Sequence, residues 1–313
     1  MLSYIIKRIL SVIPVLFIVI TVVFFAFKLI PGDPAIMYAG EQAEPETLER
    51  IRHEMGLDQS VLTQYVKYIS RLVRGDMGKS FIVRKPVASE VFYRFKNTLK
   101  LSVVAIILAI FLGIAFGLIS AIKYETGFDY FFTVLSITGI SIPVFWLAML
   151  MMYILSIQLK LLPMAGNTSW KNYIMPSICL AAYSVAFITR MTRSAILELM
   201  GDDFVRTARA KGVKERLVLF RHILRNALIP IITIVGLRFG YMLGGAIITE
   251  TVFAWPGMGR LLVMSVKHRD IPMVQGCLLV FSVSFVLINL IVELMYGIVD
   301  PRVRYKMVGK KLG

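Results

Sequence analysis

Residues Asp202 to Pro230 read DDFVRTARAKGVKERLVLFRHILRNALIP, the longest charged interruption in the C-terminal two-thirds of an otherwise apolar chain. Asp202 and Asp203 are residue types favoured just before a helix, and Gly212 can adopt the positive φ that ends one. The pattern therefore predicts a helix over Phe204–Lys211, of about two turns and roughly 12 Å in length. A short basic helix between two apolar segments is typical of a docking element for a soluble partner.

A second helix is predicted after the turn at Gly212. Its apolar side chains recur at helical spacing on one narrow face. These side chains are Leu217, Phe220, Leu224 and Leu228. Pro230 follows at the start of the next apolar run, where a proline in the first helical turn is tolerated.

Composition indicates a membrane protein. Of the 313 residues, 58% are hydrophobic, and the formal net charge is +16. Apolar runs of about 18 or more residues indicate membrane spans, and much of the basic charge lies beside such runs, which favours membrane topology over nucleic-acid binding. We predict an all-α integral membrane protein with six transmembrane helices. They are Ile9–Phe27, Leu99–Ile122, Tyr130–Leu155, Tyr173–Leu199, Leu228–Phe253 and Cys277–Val299. The first run is too long for the apolar region of a signal peptide.

The distribution of basic residues predicts the orientation. Lysines and arginines concentrate between the fourth and fifth spans and in the C-terminal tail, so both termini are expected in the cytoplasm. The polar segment Ile30 to Asn97 would then lie outside, with helices over Pro45–Met55 and Gln64–Arg74. We divide the chain into residues 1–98, the first span with an extracytoplasmic cap, and residues 99–313, a five-helix core with a cytoplasmic loop at 200–227.

Small residues form two ladders within the spans. One ladder repeats every four residues in the second span, and the other does so in the fifth. The ladders are Ala105, Ala109, Gly113, Gly117 and Ala121, and then Gly236, Gly240 and Gly244. They predict close helix packing, either within the chain or against another subunit. Pro143 and Pro176 lie within spans and predict kinks.

Two ionisable residues lie well inside spans. Arg238 is about ten residues past the start of the fifth span, with Tyr241 beside it on the helix, and Glu293 lies in the sixth. A charge at that depth is expected to face a wet cavity or a partner. Arg238, Tyr241 and Glu293 are therefore candidates for a translocation path, and an Arg238–Glu293 ion pair is the alternative.

Catalytic and metal-binding motifs are not found in the sequence. Residues Gly75 to Ser80 read GDMGKS, which has two residues between its glycines where a phosphate loop needs four. His53, His222 and His268 are scattered, and no cluster has metal-ligand spacing. The two cysteines lie in apolar runs and are expected to be small core residues.

The docking stretch resembles the coupling loop of permeases from ABC importers. Arg206 stands where that family has Glu, Thr207 where it has its first Ala, and Ala208 and Gly212 match the second Ala and the Gly. The later Ile-x-Leu-Pro ending is kept only at Leu224. The sequence RTARAKG followed by HILRNALIP nevertheless resembles the sequences of the dipeptide, oligopeptide, nickel and glutathione branch of that family. Other stretches of that branch are IPGDPA at residues 30–35, MGLDQ at 55–59, FAWPGMGR at 253–260 and DPRVRY at 300–305.

The resemblance, which is strongest to glutathione- and peptide-import permeases, implies the type I importer fold in a bacterial inner membrane. It implies a homologous second permease as heterodimer partner, two cytoplasmic ATPases that carry ATP and Mg²⁺, and an extracytoplasmic binding protein, with no cofactor in this chain. It also implies that the ATPase contacts come from the docking stretch. Those residues are Asp203, Phe204, Arg206, Thr207, Ala208, Arg209, Ala210, Lys211 and Gly212. The alternatives are a permease for nickel or metal chelates and a stand-alone secondary transporter; a membrane enzyme has no catalytic constellation to support it.

Overall fold

The computed structural model describes residues 2–29, 33–40 and 42–299, and within them the side chains of residues 10–28, 33–36, 38–40, 42–244 and 246–292. Parts of IPGDPA and all of DPRVRY lie outside the described residues, as does the side chain of Glu293. Apart from one isolated bridge between Lys79 and Pro86, regular structure in the described ranges is helical.

The described ranges contain α-helices and two π-helical segments, Met152–Gln158 and Val218–Ile223. The α-helices are α1 (Leu2–Leu29), α2 (Pro34–Ala39), α3 (Pro45–Met55), α4 (Val61–Val73), α5 (Val87–Ile122), α6 (Gly127–Ser141), α7 (Val144–Met151), α8 (Lys171–Met200), α9 (Asp203–Ala210), α10 (Glu215–Leu217), α11 (Leu224–Val252), α12 (Met258–Lys267) and α13 (Ile271–Val299). The all-α prediction is confirmed for these ranges.

Among the described residues, five helical segments are long and apolar enough to cross a membrane, and a bent pair of helices would make a sixth crossing. The predicted single span Tyr130–Leu155 is in fact two helical pieces, α6 and the run from Val144 to Gln158, inclined at 103°. The break falls at Ile142 and Pro143, because proline lacks the N–H that would continue the ladder and restricts the residue before it. The other predicted proline kink, Pro176, lies inside α8, which is continuous there.

The chain divides into two compact units. The first comprises Met1–Thr98 and Pro256–Ser284. In it, α3 matches the prediction, and α4 starts three residues before the predicted Gln64. Helix α4 packs on α1 through aromatic contacts, with the Phe24 ring centroid 5.3 Å from that of Tyr65 and 5.4 Å from that of Tyr68.

Hydrogen bonds to two aspartate carboxylates connect the loops and helices of the first unit. The Asp33 carboxylate accepts the Ala35 N–H at 2.9 Å, which caps α2, and also accepts from the Arg52 guanidinium of α3 at 2.8 Å. Further along, the buried Asp270 carboxylate accepts from the Ser80 hydroxyl and from the Phe81 N–H.

The second unit comprises Leu99–Trp255 and Phe285–Gly313. Here the first small-residue ladder packs within the chain, against α8. A Cβ added at Gly113 would lie 2.6 Å from the Ile188 Cβ, and one at Gly117 would lie 2.6 Å from the Thr189 carbonyl oxygen. Close approach of α5 and α8 therefore depends on glycine at these two positions.

The second ladder is used only in part. Added side-chain atoms at Gly236 and Gly240 would contact Val292 and Phe285 of α13, whereas an added Cβ at Gly244 meets nothing within 4 Å. Two glycines thus serve packing inside the unit, and Gly244 stands in open space.

We expect Gly117→Ala to destabilise the protein, by about 1–3 kcal/mol, because the new methyl group meets the α8 backbone. Gly244→Ala is the matched control, since it is also a glycine within a span helix but has no neighbour. Thermal unfolding of the two detergent-purified variants checks this. Equal midpoints for the two variants would contradict the packing described above.

Candidate functional site

The predicted docking helix forms as α9, shifted by one residue at each end from the predicted bounds. Asp202 precedes it in an extended conformation, although its side chain makes no capping hydrogen bond. Gly212 adopts a φ of +73°, which confirms the predicted positive φ after this helix.

Helix α9 has one buried side and one exposed side. Val205 and Ala208 are buried in the same core cluster as Val218 and Ile223 of the π-helical segment that precedes α11. The other residues predicted to contact an ATPase are exposed. They are Asp203, Phe204, Arg206, Thr207, Arg209, Ala210, Lys211 and Gly212. Ala208 therefore faces the chain's own core, and of the two alanines only Ala210 is available at the surface.

An ion pair spans the turn around Gly212. The Arg209 Nη2 and Nε atoms donate to the Glu215 carboxylate at 2.6 and 3.1 Å. The two side chains are 44% and 64% exposed, so solvent screens the pair and it contributes at most about 1 kcal/mol. Its bidentate geometry nevertheless links the end of α9 to α10. Arg206 comes no closer than 3.8 Å to Asp203, and its side chain is 75% exposed, so its charge faces solvent.

A helix follows the turn at Gly212, as predicted, but it is not separate from the next span. Helix α10, the π-helical segment and α11 follow one another without a gap, so the helix after the turn runs directly into the fifth span. Leu217 and Phe220, placed by the sequence on its apolar face, are exposed, whereas Val218 and Ile223 are buried. A π-helical turn pairs residues five apart and rotates the faces away from the 3.6-residue pattern. Pro230 consequently lies inside α11 and not in its first turn.

Arg238 lies on α11 within an aromatic cage. Its guanidinium carbon is 3.6 Å from the Phe187 ring centroid, 5.3 Å from that of Tyr183 and 5.7 Å from that of Tyr241. The predicted neighbour Tyr241 is therefore confirmed. Tyr183 and Phe187 of α8 complete the cage and were missed, although their four-residue spacing places them on one helix face.

The aromatic rings stabilise the Arg238 cation without neutralising it. Cation–π contacts of this kind contribute about 2 kcal/mol when they are desolvated. Arg238 forms no ion pair with any side chain that the structure describes, and its buried Nε has no hydrogen-bond partner there. Such a guanidinium still has donors to offer to an anionic group.

A second charged cluster lies where α6 begins and was not predicted. The Asp129 carboxylate, on a residue that is 3% exposed, accepts from Arg193 Nε at 2.7 Å and Nη2 at 2.8 Å. It also accepts from the Ser120 hydroxyl and, at 3.1 Å, from the Glu125 N–H. The cluster ties the α5–α6 turn to α8. The sequence carries no local signal for this ion pair, because Arg193 and Asp129 are 64 positions apart.

Glu250 is a second buried acidic residue that was not predicted from the sequence. It lies on α11 within the predicted span and is 0% exposed. An acidic residue inside an apolar run was the available signal. Elsewhere, the described His, Cys, Asp and Glu side chains form no group of three or more that could hold a metal ion.

Two families of sequences match this chain. Residues 113–305 match the family described as binding-protein-dependent transport system inner membrane component. Residues 1–102 match the N-terminal region of binding-protein-dependent transport system membrane components.

Similar proteins of known name align over nearly the whole chain. The glutathione transport system permease protein GsiC of Escherichia coli O6:H1 is 45% identical over 306 residues, which cover 98% of this chain and 100% of that protein. The protein of the same name from Shigella flexneri serotype 5b is also 45% identical, with the same coverage.

Solved structures support the fold. A chain from inward-facing conformations of the MetNI methionine ABC transporter superposes with a TM-score of 0.58, at 16% identity, and the match covers 67% of this chain and 96% of that chain. A chain of an amino acid ABC transporter with histidines gives a TM-score of 0.54, at 16% identity over 66% and 93% of the two chains. With the family matches over both parts of the sequence, these likenesses establish that the chain belongs to the binding-protein-dependent transport system inner membrane components.

Proposed function

We propose that this chain is the permease subunit of an ATP-driven importer of small peptides, with glutathione as the first substrate to test. The observation that carries the proposal is the 45% identity, over the whole length, to permeases named for glutathione transport. In this role the chain forms half of a translocation pathway and hydrolyses no ATP itself. A second permease, two cytoplasmic ATPases and an external binding protein complete the assembly.

In the proposed assembly, the exposed side of α9 sits in a groove of one ATPase. The solvent-facing charges of Arg206 and Lys211 are suited to acidic or polar groups there. The buried side of α9 connects the movement to the membrane, because Val205 and Ala208 share a core with the segment that leads into α11. Closure of the ATPase pair on ATP would therefore displace α9 and α11 together.

Arg238 is the residue of α11 that we place on the translocation path. A cation held at mid-span by aromatic rings can attract the carboxylate of a peptide while remaining ordered. Coupling requires that the substrate contacts differ between the inward- and outward-facing states, and Arg238 would change its surroundings as α11 moves.

We expect Arg238→Leu to lower uptake by about tenfold or more while the subunits still assemble, since one charge-assisted contact contributes about 1.5–3 kcal/mol. Arg190→Leu is the control, because it removes an exposed arginine from neighbouring α8. The measurement is initial uptake per assembled complex. Normal uptake by Arg238→Leu would remove Arg238 from the path.

We expect residues near Glu44 to face the outside and those near Gly212 to face the cytoplasm. The test uses Glu44→Cys and Lys211→Cys, two exposed positions, in a background in which the buried Cys179 and Cys277 are replaced by alanine. A membrane-impermeant maleimide should label the first variant in intact spheroplasts and the second only after lysis. The reverse pattern would invert the topology.

The function itself is tested by reconstitution. The chain is purified with the second permease, ATPases and binding protein of its own system, and ATP-dependent uptake of glutathione, a dipeptide and a nickel chelate is compared in proteoliposomes. We expect saturable uptake of glutathione or the dipeptide. Uptake of the nickel chelate alone would favour the metal-chelate alternative, and uptake without ATPases would favour a secondary transporter.

A further inference from the structure

A cavity of about 600 Å³ opens in the first unit. Its wall is formed by the end of α1, helices α2 to α4, residues 76–81 and the start of α13. The volume is in the range of small-molecule sites, which is about 300–1,000 Å³. The aromatic rings of Phe24, Tyr38, Tyr68 and Phe81 contribute apolar surface to the wall.

The charged side chains of this wall are mostly uncommitted. It carries four cationic and two acidic side chains, Lys28, Lys67, Arg71, Lys79, Glu54 and Asp76. Lys28 donates a hydrogen bond to the Gln64 side-chain oxygen. The other five form no ion pair with any side chain in the described part of the chain. The wall therefore has a cationic excess and retains both signs of charge.

Donors cluster on the α4 side of the cavity. Lys67 and Arg71 are four residues apart, so they share one face of the helix. Burial raises the pKa of Tyr68 to about 12, although the nearby Arg71 guanidinium acts in the opposite direction. The Tyr68 phenol is therefore protonated at neutral pH and can donate a hydrogen bond beside Arg71.

Acceptors come from the end of α3 and the loop after it. Glu54 lies in the last turn of α3, and the side-chain oxygen of Gln59 is buried without a hydrogen-bond partner among the described residues. The Gln59 amide is held against Gly56, where an added Cβ would lie 3.4 Å from it. That oxygen has almost no accessible surface, so Glu54 is the acceptor at this end of the cavity that a ligand can reach.

We propose that this cavity binds a small anionic peptide, with its carboxylates paired to Lys67 and Arg71 and its amino group near Glu54. Inorganic phosphate or a phosphate headgroup has no amino group to pair with Glu54 and would be repelled by its carboxylate. The site lies in a different unit from Arg238, and the proposal concerns binding alone, so it does not depend on the transport function.

The test measures binding of radiolabelled glutathione to the full-length chain in lipid nanodiscs, by equilibrium dialysis without ATP or binding protein. We expect saturable binding that weakens as salt is raised, because the cations are exposed to solvent. Lys67→Gln/Arg71→Gln should weaken binding by at least about tenfold. Arg74→Gln is the matched control, since Arg74 follows α4 and is exposed but lies outside the cavity wall.

Changes to the ligand test the chemistry without altering the protein. Esterification of both glutathione carboxylates should weaken binding to the wild-type chain about as much as the double substitution does. Three results would overturn the proposal: no saturable binding at millimolar glutathione, equal losses for Arg74→Gln and the double variant, or inorganic phosphate binding as tightly as glutathione. Unfolding midpoints confirm that each variant is folded before its affinity is compared.

Discussion

Gly212→Val is expected to release most of the ATPase from the purified complex and to abolish substrate-stimulated ATP hydrolysis. Gly212 has a φ of +73°, and no atom lies within 4 Å of an added Cβ, so the effect would come from backbone strain and not from a clash. A left-handed conformation is unfavourable for L residues by about 1–2 kcal/mol, and more for β-branched ones. The turn after α9 would relax and carry the exposed side of α9 out of its docked position.

Two controls separate this strain from other causes. Gly212→Asn should retain the ATPase, because asparagine tolerates the left-handed conformation better than other side chains. Gly201→Val places the same side chain at the other end of the same loop, where φ is an ordinary −84°. We expect wild-type ATPase retention there. If Gly212→Val also retains both the subunit and the stimulated hydrolysis, α9 is not the docking element.

Asp129→Ala is expected to destabilise the chain by about 3–5 kcal/mol, the cost of leaving the other member of a buried ion pair without its partner. The Asp129 side chain is 4% exposed and that of Arg193 is 29% exposed, so solvent screens the pair only weakly. The Ser120 hydroxyl and Glu125 N–H would lose their acceptor at the same time. The measurement is thermal unfolding, with Arg190→Ala on α8 as the exposed control.

A double variant tests the pairing itself. Asp129→Leu/Arg193→Leu should recover much of the stability that either single change loses, because no unpaired charge remains buried. If the stability lost by the double variant equals the sum of the losses of the two single variants, the two residues act separately. The contact would then not be the element that holds the α5–α6 turn against α8.

Local chemistry accounts for the parts of the fold that were predicted. The bounds of α9, the positive φ of Gly212 and the break at Pro143 depend on residues that are neighbours in sequence. Turn and cap preferences act over one or two residues, and proline acts on its own helical turn. The small-residue ladder of α5 was also visible, because its period of four is that of a helix face.

Long-range contacts account for what was missed. The Arg238 cage joins α11 to Tyr183 and Phe187 of α8, and Arg193 finds Asp129 across 64 positions. Periodicity within one helix shows that a face exists, but not which helix it meets. For the same reason, the sequence did not show whether the α5 ladder packs within the chain or against another subunit. In the structure it packs on α8 within the chain.

The sequence by itself determined a helical membrane protein with a short, glycine-terminated basic helix, because hydropathy, capping and positive φ are properties of adjacent residues. Tertiary structure alone decided that Val205 and Ala208 face inward, that the π-helical segment turns Val218 and Ile223 into the same core, and that aromatic rings surround Arg238. These arrangements result from packing between segments distant in the chain, where the choice of partner depends on shape and burial rather than on local preference.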